Sequence, residues 1–386
     1  MSEKNTKIKK NILLLARNLD NPCSGESISF FTFTNLLKKK HNILVFSIEK
    51  KNIRKKDFVG IKLTSKSIIK KIRKKIIRLP PSFETILLQL EIFSTIKHDL
   101  LKKTKKFKPD LIIYQKDLAP VGCWIAKKLK VPSVLKVHDY EFSYNWSAHE
   151  WNELLKLALH IPVPFYKTIC NFVLKESNLI IANSERTANI YRKINSNPNI
   201  ESIYGGFTEL SDYKTEKIGK KILHMTPGIN KGIFITLAVA EKMPDEKFII
   251  TGSLKGIKKD SIKKKIESLD NVEYLGFIDD ILNVFSQTKI VLVPSLDEGF
   301  GRIVIEAGAS GIPAITSGNG GLYDSSIHEL IVKENKPDEY IKKIREIKNN
   351  YDKYSKISIK NAEKKSAEKV FETFKQLLRE KTGVKL

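Results

Sequence analysis

The sequence contains little cysteine and lacks long apolar runs. Its three cysteines, Cys23, Cys123 and Cys170, lie far apart and do not show the paired spacing of metal sites. A disulfide framework or a zinc site is therefore not expected. Near the start, the apolar stretch 12–16 is too short for a signal peptide or a membrane span. These absences predict a protein of the reducing cytosol.

The charge of the chain has one dominant sign. With 69 lysine and arginine residues against 43 acidic ones, the formal net charge is +26 in 386 residues. Lysine far outnumbers arginine and is spread along the whole chain, which favours a compositional cause over a dedicated nucleic-acid face. A hydrophobic fraction of 41% and a charged fraction of 29% indicate a globular protein, and the length predicts two domains.

Short apolar segments alternate with helical patterns in two series, which predicts an α/β protein with two doubly wound, Rossmann-like domains. The polar stretch 204–218 separates the two series. We expect an N-terminal domain over 1–207, a second domain over 208–365, and a C-terminal helix over 366–386 that returns to the N-terminal domain. The predicted strands are 11–16, 42–48, 110–114, 133–137 and 178–182, then 221–224, 247–251, 272–275, 290–293 and 313–316.

The segment after strand 290–293 carries the strongest chemical signal. Ligands of open α/β sheets bind beyond the carboxyl ends of strands, and Gly299 and Gly301 let the backbone approach one closely. A helix start there favours an anionic diphosphate. Glu298 and Glu306 are eight residues apart, which at the helical rise per residue separates them by about 12 Å, a span that suits a nucleotide-sugar. The alternative is a capping role for Glu298 and a solvated helix position for Glu306.

The same segment resembles the paired-glutamate motif of the family 4 (group 1) glycosyltransferases. The match continues backwards and forwards, so that the resemblance covers nearly the whole chain. The matching residues are Pro294-Ser295-x-x-Glu298-Gly299-Phe300-Gly301-x-x-x-x-Glu306-Ala307 and Gly311-Ile312-Pro313, with Val272 to Phe277, Lys231-Gly232, Gly320-Gly321 and, more weakly, Pro109-Asp110, His138-Asp139 and Asn183-Ser184-Glu185.

This resemblance implies a GT-B fold, with two Rossmann-like domains facing each other across a cleft. It also implies a retaining transferase with a nucleotide diphosphate-sugar as co-substrate, no other cofactor and no metal. Carried over by position, Glu298 binds the sugar ring, Glu306 the ribose and Lys231 the departing diphosphate. A lysine there would stabilise the charge that grows on the leaving group. The further donor-binding positions are Gly276, Phe277, Gly299, Phe300 and Gly301.

The sequence departs from the family pattern at one point. The family usually places a Gly-Arg pair five or six residues before the lysine, where this chain has Met225 and Thr226. Either the diphosphate loses one bidentate partner, or Arg302 or another lysine takes the place of the arginine. The departure bears on rate and donor choice more than on the class of reaction.

The N-terminal domain offers fewer candidates. His138 follows strand 133–137, and the family places a histidine here, so we expect it to hydrogen-bond the donor sugar and count it with Glu298 as catalytic. Gly25, in the first strand-to-helix loop, would let the backbone approach the donor phosphate or the acceptor, although an ordinary turn explains it nearly as well. Ser184 and Arg186 follow another strand and are weaker candidates to line the cleft.

Residues 66–78 form a basic amphipathic pattern with isoleucines on one helical face. This pattern is typical of a helix that lies on an anionic membrane leaflet, and the alternative is a solvated helix packed on its own domain. Similar glycosyltransferases often act on lipid-linked glycans at the inner membrane face, which makes a glycan or lipid-linked acceptor of cell-envelope type the expectation. No nucleic-acid partner is expected, because residues 62–78 contain no aromatic.

Three other functions remain as alternatives. A sugar phosphorylase of this architecture would need its cofactor-lysine signature, which is not found. An epimerase would lack the pairing of Glu298 with Glu306. The third alternative is a basic binding protein that has inherited the fold without catalysis. Binding of a nucleoside diphosphate that is abolished by Glu306→Ala would argue against it.

Overall fold

The computed structural model describes most of the chain as two compact units. It covers residues 9–17, 19, 24–48, 58–61, 89, 91–138, 162–204, 207–254 and 259–386, with the backbone alone at 58–61 and 162–166. The first unit comprises Met1–Ala182, Thr187–Ile203 and Phe371–Leu386, and the second comprises Asn183–Arg186 and Tyr204–Val370. The short segment Asn183–Arg186 therefore belongs to the second unit, although its sequence neighbours belong to the first.

In the described part of the first unit, seven parallel strands form one sheet in the order β3-β2-β1-β4-β5-β6-β7. The central strand β1 is apolar and fully buried from residue 12 to residue 16, as expected for a parallel strand that is covered on both faces. The order reverses between β1 and β4. The strands are β1 (Asn11–Arg17), β2 (Asn42–Ile48), β3 (Phe58–Ile61), β4 (Leu111–Tyr114), β5 (Ser133–Val137), β6 (Leu179–Ala182) and β7 (Ile200–Ser202).

Helices connect these strands. The first begins at Gly25, where Ser24 and Ser27 form a reciprocal capping box that satisfies amide groups at the helix start. Gly25, which was expected in the first strand-to-helix loop, is therefore the first residue of a helix. The helices are α1 (Gly25–Lys38), α2 (Lys97–Phe107), α3 (Ala119–Leu129), α4 (Pro162–Glu176) and α5 (Glu185–Ile194), with a π-helix at Ile92–Ile96 and a 3₁₀ turn at Lys116–Leu118.

In the described part of the second unit, five parallel strands form a sheet in the order β10-β9-β8-β11-β12. Counted from its own first strand, this sheet repeats the order of the first one, and the order reverses between β8 and β11. Such a reversal is where ligands of open α/β sheets bind. The strands are β8 (Lys221–Met225), β9 (Phe248–Thr251), β10 (Val272–Gly276), β11 (Thr288–Val293) and β12 (Ala314–Thr316).

Helices cover both faces of the second sheet, and the last helix extends into the first unit. The aromatic rings of Phe371 and Phe374 meet the ring of Phe33 edge-on, with centroids 6.0 and 5.0 Å away. The helices are α6 (Ile233–Lys242), α7 (Lys259–Glu267), α8 (Ile281–Phe285), α9 (Arg302–Ala309), α10 (Leu322–Ser325), α11 (Pro337–Asn349), α12 (Tyr351–Glu363) and α13 (Ala367–Thr382), with 3₁₀ turns at Leu210–Tyr213, Ile229–Lys231 and His328–Leu330.

The predicted strands all exist, with ends that shift by one or two residues. Sequence patterns missed β3, which lies between the predicted strands 42–48 and 110–114, and the three-residue strand β7. They also missed the helix pair α11 and α12, whose buried face includes Tyr340, Ile344 and Tyr354. The doubly wound arrangement, which positions the site described next, does not depend on these elements.

Candidate active site

The centre of the site lies at the reversal of the second sheet, where the chain leaves β8 and β11. After β8, the 3₁₀ turn Ile229–Lys231 ends at Gly232, whose φ is +73°. A Cβ on Gly232 would lie 2.0 Å from the carbonyl oxygen of Pro294, and the amide of Leu296 donates to the carbonyl of Asn230 over 2.8 Å. Glycine is therefore required for this turn to pack directly on the segment that follows β11.

This packing brings Lys231 to Glu298. The ammonium Nζ lies 2.5 Å from Glu298 Oε1, and the hydroxyl of Ser295 donates to the same oxygen over 3.2 Å. Glu298 is only 16% exposed, whereas Lys231 is about twice as accessible. A carboxylate and a cation are thus held side by side at the end of β11, where an incoming phosphate would compete for the cation.

The helix start after Glu298 differs from the prediction. Helix α9 begins at Arg302, its N-terminal cap is Gly301 with φ of +82°, and no side chain caps it. Glu298 is therefore not part of the helix, and the helical rise does not describe its separation from Glu306. A Cβ on Gly301 would lie 2.3 Å from Leu322 Cδ2. The uncapped amides at this start suit an anion.

Phe300 lies in the core of the unit. Its side chain is buried and packs with Ile305 and Ala362. Only the backbone at this position is placed to meet a donor. The side chain instead anchors the loop, which helps to hold Gly299 and Gly301 in place.

Glu306 pairs with Arg302 one helical turn earlier. The guanidinium Nη2 lies 2.9 Å from Glu306 Oε1 and donates to the hydroxyl of Tyr213 over 3.2 Å. Both charged side chains are only 13% exposed. Burial, and then the charge of Glu306, raise the pKa of Tyr213 to about 12, so its hydroxyl stays protonated. A solvated surface position does not describe Glu306, and Arg302 is held on α9 by these two partners.

The glycine pair Gly320-Gly321, which follows β12, packs against the loop that carries Glu298. The amide of Gly321 donates to the carbonyl of Glu298 over 2.7 Å, and a Cβ on Gly321 would lie 1.9 Å from the carbonyl of Gly299. Gly320, with φ of +67°, is similarly close to the carbonyl of Glu298. These contacts explain physically why the resemblance extends to this pair: the loop after β12 packs on the backbone of the glutamate loop.

The segment Asn183–Arg186 meets the same loops. Ser184 is buried, and its Cβ would be 2.9 Å from a Cβ on Gly321. The guanidinium of Arg186 forms an ion pair with Asp297. The amide of Glu185 donates to Asp324 Oδ2 over 2.8 Å. Sequence reasoning named Ser184 and Arg186 but missed both aspartates, since neither belongs to the glycine-glutamate pattern.

Two further predicted positions lie at the end of β10. Gly276 has φ of +67° and accepts a hydrogen bond from the amide of Gly252 over 2.6 Å. Phe277 follows with 67% of its surface exposed, which is unusual for an aromatic side chain. The ring is thus accessible at the carboxyl edge of the sheet, two strands away from β8.

Thr226 stands where the family usually has arginine. Its φ of +65° is rare for a β-branched residue, and its amide and carbonyl are held by Thr251 and Gly228 over 2.7 Å each. Behind it lies His224, whose Nδ1 is 2.8 Å from the hydroxyl of Thr236. Burial lowers the pKa of His224 to about 4, so the ring is neutral at pH 7. No sequence pattern had indicated this histidine.

The reversal of the first sheet holds a different set of side chains. His138 follows β5 and its Nε2 lies 3.2 Å from Gln115 Oε1, at the end of β4. Arg17, at the end of β1, pairs with the buried Asp117 over 3.0 Å. Lys116 pairs with Glu26 in the first turn of α1. Among these, sequence reasoning found only His138.

Among the described residues, no group of three or more His, Cys, Asp or Glu side chains is arranged to hold a metal ion. In the same part of the chain, no helix combines the length and the apolar character needed to cross a membrane. Cys123 and Cys170 are buried free thiols. Cys23 and the basic stretch 66–78 lie outside the described residues.

Comparisons with known proteins agree with this geometry. A family model described as glycosyl transferases group 1 matches residues 227–365. A 2-deoxystreptamine N-acetyl-D-glucosaminyltransferase from Niallia circulans is 26% identical over 230 residues, 54% of this chain and 57% of the relative. A sulfoquinovosyl transferase from Arabidopsis thaliana is 24% identical over 242 residues, 58% and 46% of the two chains. The chain spans about half the length of these curated relatives.

Among solved structures, an Anabaena protein in complex with UDP superposes with a TM-score of 0.69 at 16% identity, over 96% of this chain and all of the other. The predicted fold class is therefore confirmed: two Rossmann-like, doubly wound units, as in GT-B glycosyltransferases. Residues 227–365 match the group 1 glycosyltransferase family model. The narrower family 4 assignment stays a prediction.

Proposed function

We propose that this chain is a retaining glycosyltransferase that moves a sugar from a nucleotide diphosphate-sugar to a glycan or a lipid-linked acceptor. This proposal rests on the ion pair between Lys231 and Glu298, which lies at the reversal of the second sheet beside the uncapped start of α9. Cation, helix amides and carboxylate are the groups that a diphosphate and a sugar require.

The donor would bind in the second unit. Its diphosphate takes Lys231 and the amides at the start of α9, and the charge that develops on the leaving group is stabilised there. Glu298, released from the lysine, accepts hydrogen bonds from sugar hydroxyls. Glu306 accepts them from the ribose, and Phe277 offers an aromatic face to the base.

The reaction we propose does not use a metal ion. Lys231 supplies the positive charge that a metal would otherwise bring to the diphosphate. On the retaining route, the leaving phosphate oxygen accepts the proton of the acceptor on the same face of the sugar. His138 then hydrogen-bonds the donor sugar and is not a general base.

The acceptor is assigned to the first unit, whose sheet reversal carries Arg17, Asp117, Lys116 and Glu26. These charged side chains suit a polar acceptor such as a glycan. We also propose a cytoplasmic enzyme that contacts an anionic membrane surface through residues 66–78. Cosedimentation with vesicles of phosphatidylglycerol and phosphatidylcholine, against vesicles of phosphatidylcholine alone, tests that contact.

A panel of nucleoside diphosphates tests the donor site first. UDP, GDP, ADP and CDP are compared for the rise in melting temperature that each produces, because a ligand of the folded state stabilises it by mass action. The sugar nucleotides of the stabilising base are then assayed for hydrolysis and transfer with and without EDTA. The anomeric configuration of the product, measured by ¹H NMR, decides between retention and inversion. A panel without any stabilising nucleotide contradicts the proposal.

A further inference from the structure

In the described part of the second unit, the three acidic residues between Pro294 and Ala309 each form an ion pair. Asp297 pairs with Arg186, Glu298 with Lys231 and Glu306 with Arg302. Each acid of the segment that carries the chemistry thus has a cation of its own. A diphosphate that enters this site brings new negative charge, so at least one of these cations must exchange its carboxylate for a phosphate oxygen.

One of the cations is not available for that exchange. Arg302 is the residue that the sequence offered as a replacement for the missing family arginine. Its guanidinium, however, contacts both Glu306 and the Tyr213 hydroxyl, and the ion pair is 13% exposed on either side. Breaking it would leave a half-buried carboxylate beside a half-buried tyrosine, which is costly. Thr226, at the position of the family arginine, carries no charge.

Arg186 lies at the glutamate loop itself. A Cβ on Gly320 would be 2.6 Å from its Nη1 and 2.4 Å from the carbonyl oxygen of Glu298. The guanidinium therefore lies over the backbone of the loop that carries the Lys231 pair. The segment is fixed in this place from its other side, where the amide of Glu185 donates to Asp324.

The pair that holds Arg186 is easily exchanged. Arg186 and Asp297 are each 44% exposed, and ion pairs between solvent-exposed side chains contribute little to stability. A guanidinium binds phosphate through two parallel hydrogen bonds, which is stronger and more directional than its bond to a solvated carboxylate. The free energy of exchange therefore favours a bound diphosphate.

We infer that Arg186 is the second diphosphate-binding cation of this site and that it leaves Asp297 when a nucleoside diphosphate binds. This inference rests on the proposed function. It assigns the role of the missing family arginine to a residue about 40 positions earlier in the chain, delivered by a segment that follows a strand of the other sheet.

Calorimetric titration of purified protein tests the assignment. UDP, UMP and inorganic pyrophosphate are titrated into the wild type, Arg186→Gln and the control Arg345→Gln, which removes an exposed arginine on α11 of the same unit. If UDP does not bind, GDP, ADP and CDP with their monophosphates replace it. We expect Arg186→Gln to weaken the diphosphate and pyrophosphate about tenfold, or about 1.4 kcal/mol, and the monophosphate less than twofold.

The carboxylate side gives an independent readout. Asp297→Asn removes the charge that competes with phosphate for Arg186, so we expect it to tighten UDP several-fold, and to do so less in the Arg186→Gln background. Arg186→Lys should recover part of the affinity, because it restores charge without the planar fork. Equal melting temperatures of the apo proteins show that folding is unchanged.

Three outcomes would overturn the assignment, each in a different way. If the wild type binds a nucleoside diphosphate and Arg186→Gln binds it within twofold of Arg345→Gln, the role of Arg186 is refuted and the proposed function stands. If the wild type binds none of the four diphosphates, the proposed function fails and this inference fails with it. An equal loss of mono- and diphosphate affinity would also refute it, because it indicates a structural role.

Discussion

The two sheets share a strand order but differ in how the chain is held at their reversals. In the second unit, the loops after β8, β11 and β12 touch through backbone. Gly232 packs on Pro294, and Gly321 packs on Gly299 while its amide bonds the carbonyl of Glu298. Residue types are constrained there by steric contact, and this leaves a dense local pattern in the sequence.

In the first unit, the reversal between β1 and β4 is held by side chains from distant segments. Arg17 meets Asp117, Lys116 meets Glu26, and His138 meets Gln115. Such pairs can be replaced by others without a change of backbone, so they leave no local motif. The family match is confined to 227–365 accordingly. We conclude that the reversal of the second sheet is held by backbone packing, whereas the side-chain pairs at the reversal of the first sheet can vary by substitution.

The largest effect is expected from Lys231→Ala. Removing a cation that stabilises developing charge in the transition state costs about 10²- to 10³-fold in kcat. The control is Lys242→Ala, an exposed lysine of the same unit whose pair with Asp338 lies on the surface. Steady-state kinetics with the donor found by the nucleotide panel measures both. If the kcat of Lys231→Ala stays within fivefold of wild type, Lys231 does not stabilise the leaving diphosphate and the proposed donor site is wrong at its centre.

The backbone contrast is tested by two glycine substitutions. Gly232 and Gly276 have similar φ values of +73° and +67°, but a Cβ on Gly276 meets nothing within 4 Å. Gly276→Ala should therefore cost only the conformational strain, about 1 kcal/mol, whereas Gly232→Ala adds a clash with Pro294 and should cost about 3 kcal/mol. Urea denaturation measures the difference, and equal midpoints would show that the close approach is not needed.

Most of the fold was accessible from the sequence, because buried parallel strands are short apolar runs of a kind that β1 and β4 show clearly. The strands that were missed had weaker signals: β7 has three residues, and β3 has four residues, one of them a glycine, in a lysine-rich stretch. Helix α9 begins only at Arg302, because Gly301 caps it in a left-handed conformation, and no capping side chain marks this start in the sequence.

The sequence predicted those parts of the candidate site that are held together by backbone packing, and it missed partners that are held by side-chain contacts. Glu298, Lys231 and the two glycine pairs were named through the resemblance to the paired-glutamate motif, and they do lie together. Asp297 and Tyr213 were missed because their contacts with Arg186 and Arg302 join segments that are 111 and 89 residues apart. Spacing along the chain carries no information about such pairs.

A smaller effect is expected from Glu306→Gln. If Glu306 accepts hydrogen bonds from ribose hydroxyls, loss of its charge should weaken UDP about tenfold, or about 1.4 kcal/mol, with kcat nearly unchanged. The matched control is a second ligand, 2′-deoxy-UDP, which lacks one of the two ribose hydroxyls that Glu306 would contact. Wild type should prefer UDP over the deoxy form, and Glu306→Gln should not. A preference that survives the substitution would place the ribose elsewhere.

The smallest effect is expected in the first unit, from His138→Gln. The imidazole already bonds Gln115, and as a single hydrogen-bond partner of the donor sugar it should contribute about 1 kcal/mol, so turnover should fall about fivefold while UDP affinity stays the same. The UDP affinity is the readout that separates the units, because it depends on the second one. A loss of turnover beyond a hundredfold, with a changed pH profile, would instead make His138 a proton carrier. The reversal of the first sheet, which is held by side-chain pairs, would then contribute as much to catalysis as the reversal of the second sheet.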